Sequence, residues 1–334
     1  MAPGSPERAY AGAVLTSGPR ATARILAVVI ALTASASLVG CSASVPEQAA
    51  QSPGASGTPT AGLAPAAAST TYRIVAAGDI ACPPGSSVTP VTCRQADTAR
   101  LAAAQSPHAV VPLGDLQYER GSLADFQGSY ASSWGSLKSI TRPVVGNHEY
   151  KTAGAAGYYA YFGRKSPGYY AWNAGSWRIY SLNSNCSIID CAAETAWLRR
   201  DMDANPRKCQ IITMHGPRFS SGLEHGNAPY VAPFWRVAYN HRADIALAGH
   251  DHDYERFVRM APDGTKRPYR GIRSFVVGTG GKSLYHLGTR KPGSAYFQAT
   301  RFGVLRLDLG ASSYTWRYIT TDGVVRDQGT SNCL

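Results

Sequence analysis

Short apolar segments that end at a glycine and a polar residue constrain the fold of this chain most strongly. Residues 72–77 (YRIVAA) end at a Gly-Asp pair that contains Asp79, and residues 109–113 (AVVPL) end at a second pair that contains Asp115. Between them, residues 94–105 are rich in helix formers. The 36 residues from the first aspartate to the second suit one β-α-β unit.

The same alternation continues along the chain. Three further apolar segments end just before a polar residue, and they cover residues 143–145, 210–213 and 244–248. Helical patterns lie at residues 192–202 and 230–241. Residues 301–309 and 313–326 alternate apolar and polar side chains, which is typical of antiparallel strands. We therefore predict an α/β, layered fold in which mixed β-sheets pack as a sandwich flanked by helices.

Polar side chains follow the strands at the edge where open α/β sheets bind ligands. Each one alone has an ordinary interpretation, because Asp after Gly often forms a turn and a single His is often structural. Together they combine oxygen ligands with imidazoles, which suits iron, zinc or manganese. The residues are Asp79, Asp115, Asn147, His215, His250 and His252.

Five motifs in order carry a resemblance to a known family. They are GDI at 78–80, GDLQY at 114–118, GNHE at 146–149, IITMH at 211–215 and GHDHDYER at 249–256. The set resembles the calcineurin-like metallophosphoesterases, and the likeness extends over residues 72–320. Tyr118, three residues after Asp115, makes it similar to the purple acid phosphatases in particular.

The resemblance implies a calcineurin-like fold and a dimetal site with iron(III) and a divalent zinc, manganese or iron. It assigns Asp79, Tyr118 and His252 to iron(III), Asn147, His215 and His250 to the divalent ion, and Asp115 to the bridge. His148 would protonate the leaving oxygen. His225 would face the substrate, although the family pair of histidines is Glu224-His225 here. Ala81 also stands where the family has glycine.

The implied activity is that of a metal-dependent phosphoric ester hydrolase, similar to acid phosphatases. Small phosphorylated substrates would be hydrolysed as monoesters by attack of a metal-bound hydroxide. Two alternatives remain open: a phosphodiesterase or nucleotidase on the same centre, and a non-catalytic surface lipoprotein that binds anionic polymers. The net charge of +12 is spread along the chain, which indicates no specific nucleic-acid partner. Arg218 could grip a phosphoryl oxygen or be a solvated loop residue.

The N-terminal residues have the features of an export signal. Two arginines precede an uncharged apolar segment that begins at Ile25, and Leu38-Val39-Gly40-Cys41 resembles a bacterial lipobox. We predict a lipoprotein signal peptide at 1–40, a flexible linker at 41–71 anchored to the membrane by a lipid on Cys41, and a catalytic domain at 72–334. Cleavage after Ala34-Ser35-Ala36 would instead give a secreted form. Either location is extracytoplasmic.

The seven cysteines agree with an oxidising compartment. Assigning Cys41 to lipid leaves six, which allow 15 pairings. The shortest loop closures pair Cys82 with Cys93 and Cys186 with Cys191, and they leave Cys209 for Cys333. The alternative is that Cys82, close to Asp79, is a metal ligand.

Overall fold

The computed structural model describes residues 71–334, with the exception of Lys165. In this part of the chain, none of the helices is both long and apolar enough to cross a membrane. The strands are β1 (Tyr72–Ala77), β2 (Ala109–Pro112), β3 (Tyr170–Ala174), β4 (Trp177–Ser181), β5 (Gln210–Thr213), β6 (Ile245–Ala248), β7 (Tyr254–Met260), β8 (Ile272–Val277), β9 (Ser294–Gln298), β10 (Gly303–Leu309), β11 (Ser313–Thr320) and β12 (Val325–Asn332). The α-helices are α1 (Gln95–Ala104), α2 (Leu123–Asp125), α3 (Ala156–Phe162), α4 (Cys191–Ala204) and α5 (Ala232–Asn240).

The strands form two mixed sheets. The first has the order β12-β11-β10-β1-β2, with β1 and β2 parallel and the other pairs antiparallel. The second has the order β3-β4-β5-β6-β8-β7-β9, in which β4, β5, β6 and β8 are parallel neighbours and the outer pairs are antiparallel. The predicted mixed sheets and the predicted β-α-β unit at β1-α1-β2 are confirmed.

The main core lies between the two sheets. Ile74 of β1 belongs to the same buried cluster as Ile211 of β5. The next residue, Ile212, points to the opposite face and packs with Leu198 of α4 and Trp235 of α5. Because successive side chains of a strand point to opposite faces, the second sheet is covered by the first sheet on one side and by helices on the other.

One sequence prediction is wrong. Residues 143–145 are not a strand, since Val144 forms only an isolated bridge with Leu113. Pro143 has no N–H to donate to a neighbouring strand. Within residues 143–145, the N–H of Val144 donates to the carbonyl of Pro112 of β2, and the chain then turns at Gly146. The segment is nevertheless buried, which explains its apolar composition.

The described residues contain three disulfides, Cys82–Cys93, Cys186–Cys191 and Cys209–Cys333. This is the pairing that loop closure favours. The alternative of Cys82 as a metal ligand is wrong, because its sulfur is bonded to Cys93. Cys41 lies outside the described residues, as do the predicted signal peptide and all but the last residue of the predicted linker.

The two sheets are joined at one edge. The N–H of Gly78, just after β1, donates to the carbonyl of Val277 at the end of β8, at 2.7 Å. The carboxyl ends of strands from both sheets therefore meet here. The loops that follow β1, β2, β5 and β6 converge at this edge.

Candidate metal centre

A first group of donor atoms forms around the phenol of Tyr118. Its hydroxyl lies 2.9 Å from Oδ1 of Asp79 and 2.9 Å from Nε2 of His252. All three side chains are almost fully buried. Three donor atoms therefore face one point: a carboxylate oxygen that follows a strand of the first sheet, an imidazole nitrogen that follows a strand of the second sheet, and the phenol oxygen.

A second group lies beside the first. Nε2 of His215 is 3.0 Å from Oδ1 of Asn147 and 3.1 Å from Nδ1 of His250. These side chains come from three different loops, and each presents one nitrogen or oxygen to the same small space. Asp115, His215 and His250 have ligand atoms close enough to one another to share a metal ion.

Asp115 links the two groups. Its Oδ2 lies 3.2 Å from the hydroxyl of Tyr118 and 3.3 Å from Nε2 of His215. Its Oδ1 accepts the main-chain N–H of His148 at 2.8 Å. The carboxylate is therefore in contact with a member of each group.

The backbone at these residues is strained. Asp79, Asp115 and His250 have φ values of 60°, 49° and 75°, in the left-handed region that side chains other than glycine rarely adopt. Such strain is common at functional sites, where surrounding structure holds it in place. Gly114 is needed here, because its φ is 87° and a Cβ would collide with the His215 ring.

Neighbouring groups orient the imidazoles. Nδ1 of His215 lies 2.8 Å from the carbonyl of Leu113, so it carries a proton, and Nε2 is the nitrogen that faces the site. Nδ1 of His252 contacts the hydroxyl of Ser283 at 2.9 Å, and the ring of Tyr285 stacks on His252 with centroids 3.8 Å apart. Such partners usually fix the tautomer and direction of a metal-binding histidine.

The donor set fits bound cations. Asp79 and Asp115 are buried, yet within the described residues neither forms an ion pair with Lys or Arg. Burial alone would lower the pKa of His215, but the charge of Asp115 raises it to about 10. Burial alone would raise the pKa of Asp115, but His215 and His148 hold it well below its usual value. The buried carboxylate of Asp115 thus attracts positive charge strongly, and a metal ion bound there would take the place of the proton on Nε2 of His215.

The two predicted catalytic histidines lie at the rim. Nε2 of His148 is 3.9 Å from Oδ2 of Asp115, and its Nδ1 is 2.8 Å from the carbonyl of Glu119. His225 is exposed, and its ring stacks on His250 with centroids 3.9 Å apart. The structure therefore brings both histidines beside the seven predicted ligands.

Glu149 is a residue that sequence reasoning missed. It is fully buried, and its carboxylate accepts the N–H groups of Asp115, Leu116, Gln117 and Gly146 at 2.7–3.2 Å. Burial and the charge of Asp115 raise the pKa of Glu149, and the N–H donors oppose that rise because they bind the ionised form. Glu149 ties the loop after β2 to the loop of Asn147. Its place in GNHE was the available signal.

Basic side chains nearby are already engaged. The guanidinium of Arg218 donates to the carbonyl of Pro262 at 2.8 Å and lies over the ring of Phe219. Lys151 lies 3.1 Å from Nε2 of His148, and Lys282 pairs with Glu119. Of these, only Lys151 contacts a predicted catalytic residue, and sequence reasoning did not identify it.

A cavity of about 430 Å³ adjoins the second group of donors. Its lining residues are Asn147, Ser184, Asn185, Cys186, Ser187, His215, Tyr230 and His250. From the donor atoms, the cavity extends along the loop that the Cys186–Cys191 disulfide closes.

Comparisons with known proteins agree with these motifs. The model of the family described as calcineurin-like phosphoesterase matches residues 72–254. A phosphoenolpyruvate phosphatase of Allium cepa is 29% identical over an alignment of 182 residues, and the match covers 46% of this chain and 37% of that protein. The chain thus matches little more than a third of that relative's length.

Solved structures share the fold. A purple acid phosphatase, PPD1 from yellow lupin (Lupinus luteus), superposes with a TM-score of 0.61 at 19% identity and covers 79% of this chain and 54% of the lupin chain. GAP50 of Plasmodium, described as the anchor in the inner membrane complex, has a TM-score of 0.59 at 14% identity and covers 79% of this chain and 89% of its own. At such identities the likeness concerns the fold alone.

Proposed function

The chain belongs to the calcineurin-like phosphoesterase family, and from this premise we propose that it is a dimetal phosphatase acting on small phosphate monoesters. The observation that carries the proposal is the contact of Asp115 with both groups of donor atoms. A carboxylate between two ligand sets is the arrangement that paired metal ions require.

The side chains of both donor groups would supply ligands for each ion. Asp79, Tyr118 and His252 would hold iron(III), and Asn147, His215 and His250 would hold a divalent zinc, manganese or iron. Asp115 would bridge them. When bound, two such ions acidify water and neutralise phosphoryl oxygens.

A histidine at the edge of the metal site would supply the proton that the leaving oxygen needs. The main-chain N–H of His148 donates to Asp115, which fixes the imidazole beside the bridging carboxylate. Nδ1 faces the carbonyl of Glu119 and Nε2 accepts from the ammonium of Lys151, so Nε2 is the nitrogen that would take up a proton and pass it to the leaving oxygen. His225 packs against His250 and would contact the substrate from the opposite rim.

The main test uses purified, metal-loaded protein and two chromogenic esters. We expect p-nitrophenyl phosphate to be hydrolysed with higher kcat/KM than bis(p-nitrophenyl) phosphate. The reverse order would favour the phosphodiesterase or nucleotidase alternative. Since the fold also occurs in GAP50, a protein described as an anchor, a metal-loaded preparation inert toward both esters would support the non-catalytic alternative.

We also propose that the protein is exported and anchored by a lipid on Cys41. Three disulfides in the described part of the chain support an oxidising compartment. Mass spectrometry of the mature N-terminus should find a lipid-modified Cys41. A soluble form that begins at Ser37 would overturn the anchor and favour secretion.

A further inference from the structure

We propose that the cavity beside the second donor group binds the alcohol portion of the substrate and selects uncharged alcohols with an aromatic or apolar surface. This inference rests on the proposed phosphatase function. The observation that supports it is that one wall of the cavity has no charged side chain. This wall is formed by Ser184, Asn185, Ser187 and Tyr230.

The size and position of the cavity suit this role. Its volume of about 430 Å³ lies within the range of small-molecule sites. Asn147, His215 and His250 form one end, where the phosphoryl group would lie. The remaining walls would contact the alcohol portion of the substrate, which is attached to the phosphoryl group.

The wall beyond the donor atoms carries no cationic side chain. Within the described residues, no Lys, Arg, Asp or Glu lines the cavity. The amide of Asn185 donates to Oδ1 of Asn183 at 2.8 Å, and the hydroxyl of Ser184 accepts the N–H of Gly216 at 3.0 Å. A carboxylate or second phosphate on the alcohol would lose water here without gaining a cationic partner.

The basic side chains near the site are held elsewhere. Lys151 contacts His148, Lys282 pairs with Glu119, and Arg218 donates to the carbonyl of Pro262. None of these three is among the residues that line the cavity. The positive charge that could attract an anion therefore lies beside His148, at Lys151, and not along the cavity wall.

The rim presents apolar surface to the solvent. Tyr230 is 46% exposed, and Ile188, next to the lining residue Ser187, is 56% exposed. The Cys186–Cys191 disulfide closes the loop that carries Ser187 and Ile188. An aromatic ring can pack on the exposed face of Tyr230. The loop of Ser187 and Ile188 loses little entropy when it contacts a ligand, since the disulfide already constrains it.

The experiment compares phenyl phosphate with 4-carboxyphenyl phosphate, which differ by one carboxylate on the same ring. We expect kcat/KM of the metal-loaded protein to be about tenfold higher for phenyl phosphate, because the carboxylate loses part of its water against a wall that offers no cationic partner. Binding gives a second readout. Isothermal titration should show the same preference in Kd for benzylphosphonate over 4-carboxybenzylphosphonate, neither of which is hydrolysed.

Ser187→Lys tests the cause, with Ser187→Met as a control of similar length and no charge. The lysine should raise the ratio of carboxylated to uncarboxylated kcat/KM by about tenfold, and the methionine should not. Equal kcat/KM and equal Kd for the two ligands in the wild-type protein would overturn the inference while leaving the phosphatase function intact. Hydrolysis of neither ester, with unselective phosphonate binding, would overturn both.

Discussion

Replacement of Glu149 by glutamine tests whether this buried carboxylate holds the site together. Its Oε1 accepts the N–H groups of Leu116 and Gln117, and its Oε2 accepts those of Asp115 and Gly146. Glutamine keeps one oxygen but places an NH₂ group where the other oxygen was. Two hydrogen bonds are then lost, and two buried N–H groups are left without an acceptor.

The magnitude follows from these two groups. A buried donor without a partner costs about 1–3 kcal/mol, so the two unpaired N–H groups cost about 2–6 kcal/mol; loss of the buried charge, which burial and Asp115 disfavour as the raised pKa of Glu149 shows, offsets part of this cost in Glu149→Gln as it does in Glu194→Gln. The loss also loosens the loops of Asp115 and Asn147. We therefore expect weaker metal binding in addition to lower stability.

Glu194→Gln is the matched control. Glu194 is also fully buried, but only its Oε1 has a partner, the N–H of Asn183 at 2.8 Å. Its Oε2 has no hydrogen-bond partner among the described residues. The same substitution there keeps the one bond and leaves no backbone N–H unpaired.

Urea unfolding at pH 7 with a chelator present measures the structural effect apart from metal binding. The expected order of stability is Glu194→Gln at or above wild type and Glu149→Gln well below it. Metal content of the loaded proteins, read by mass spectrometry, gives the second measurement. Equal unfolding free energies for the two variants would refute the role given to the four N–H bonds.

Four further predictions concern single side chains. Asp115→Asn should lower metal content and rate together if one carboxylate serves both ions as proposed; unchanged metal stoichiometry would contradict the bridge. His148→Ala should keep both metals and lose rate mainly on esters with poor leaving groups, as expected when a general acid is removed, and equal losses on activated esters would argue against that role. Tyr118→Phe should bleach the visible charge-transfer band of protein reconstituted with iron and zinc, and a wild-type enzyme that is active but colourless would exclude iron ligation by the phenol. Burial raises the pKa of Glu194 to about 8. The contribution of the protonated Glu194 side chain to the free energy of unfolding is therefore complete below about pH 4.5 and is lost as the pH rises toward 8. The stability advantage of Glu194→Gln over the wild type should grow across this window, to as much as about 3 kcal/mol at pH 7.

Local patterns in the sequence were sufficient for much of the fold. The apolar segments at 72–77 and 210–213 coincide with β1 and β5, and the helix formers at 94–105 contain α1. Loop closure predicted the disulfide pairing, because the two shortest loops leave only one further pair. Family membership likewise followed from five motifs in order.

The tertiary structure decided what depends on distant partners. The apolar segment 143–145 resembles a strand, but proline and the following turn restrict it to a single bridge. Arg218 is turned toward Phe219 and Pro262, which no local pattern indicates.

The seven predicted ligands illustrate the same division. Six of them were identified because they follow apolar segments, and Tyr118 was identified by the family resemblance. Neither signal could show that Asp115 contacts both Tyr118 and His215, since His215 lies 100 residues from Asp115 and follows a strand of the other sheet. Nor could either show that the carboxylate of Glu149 binds backbone groups up to 34 residues distant. Sequence patterns report which residues share a strand, a helix or a loop. Contacts between loops of two different sheets exist only after the chain has packed, because hydrogen bonds and burial depend on positions in space.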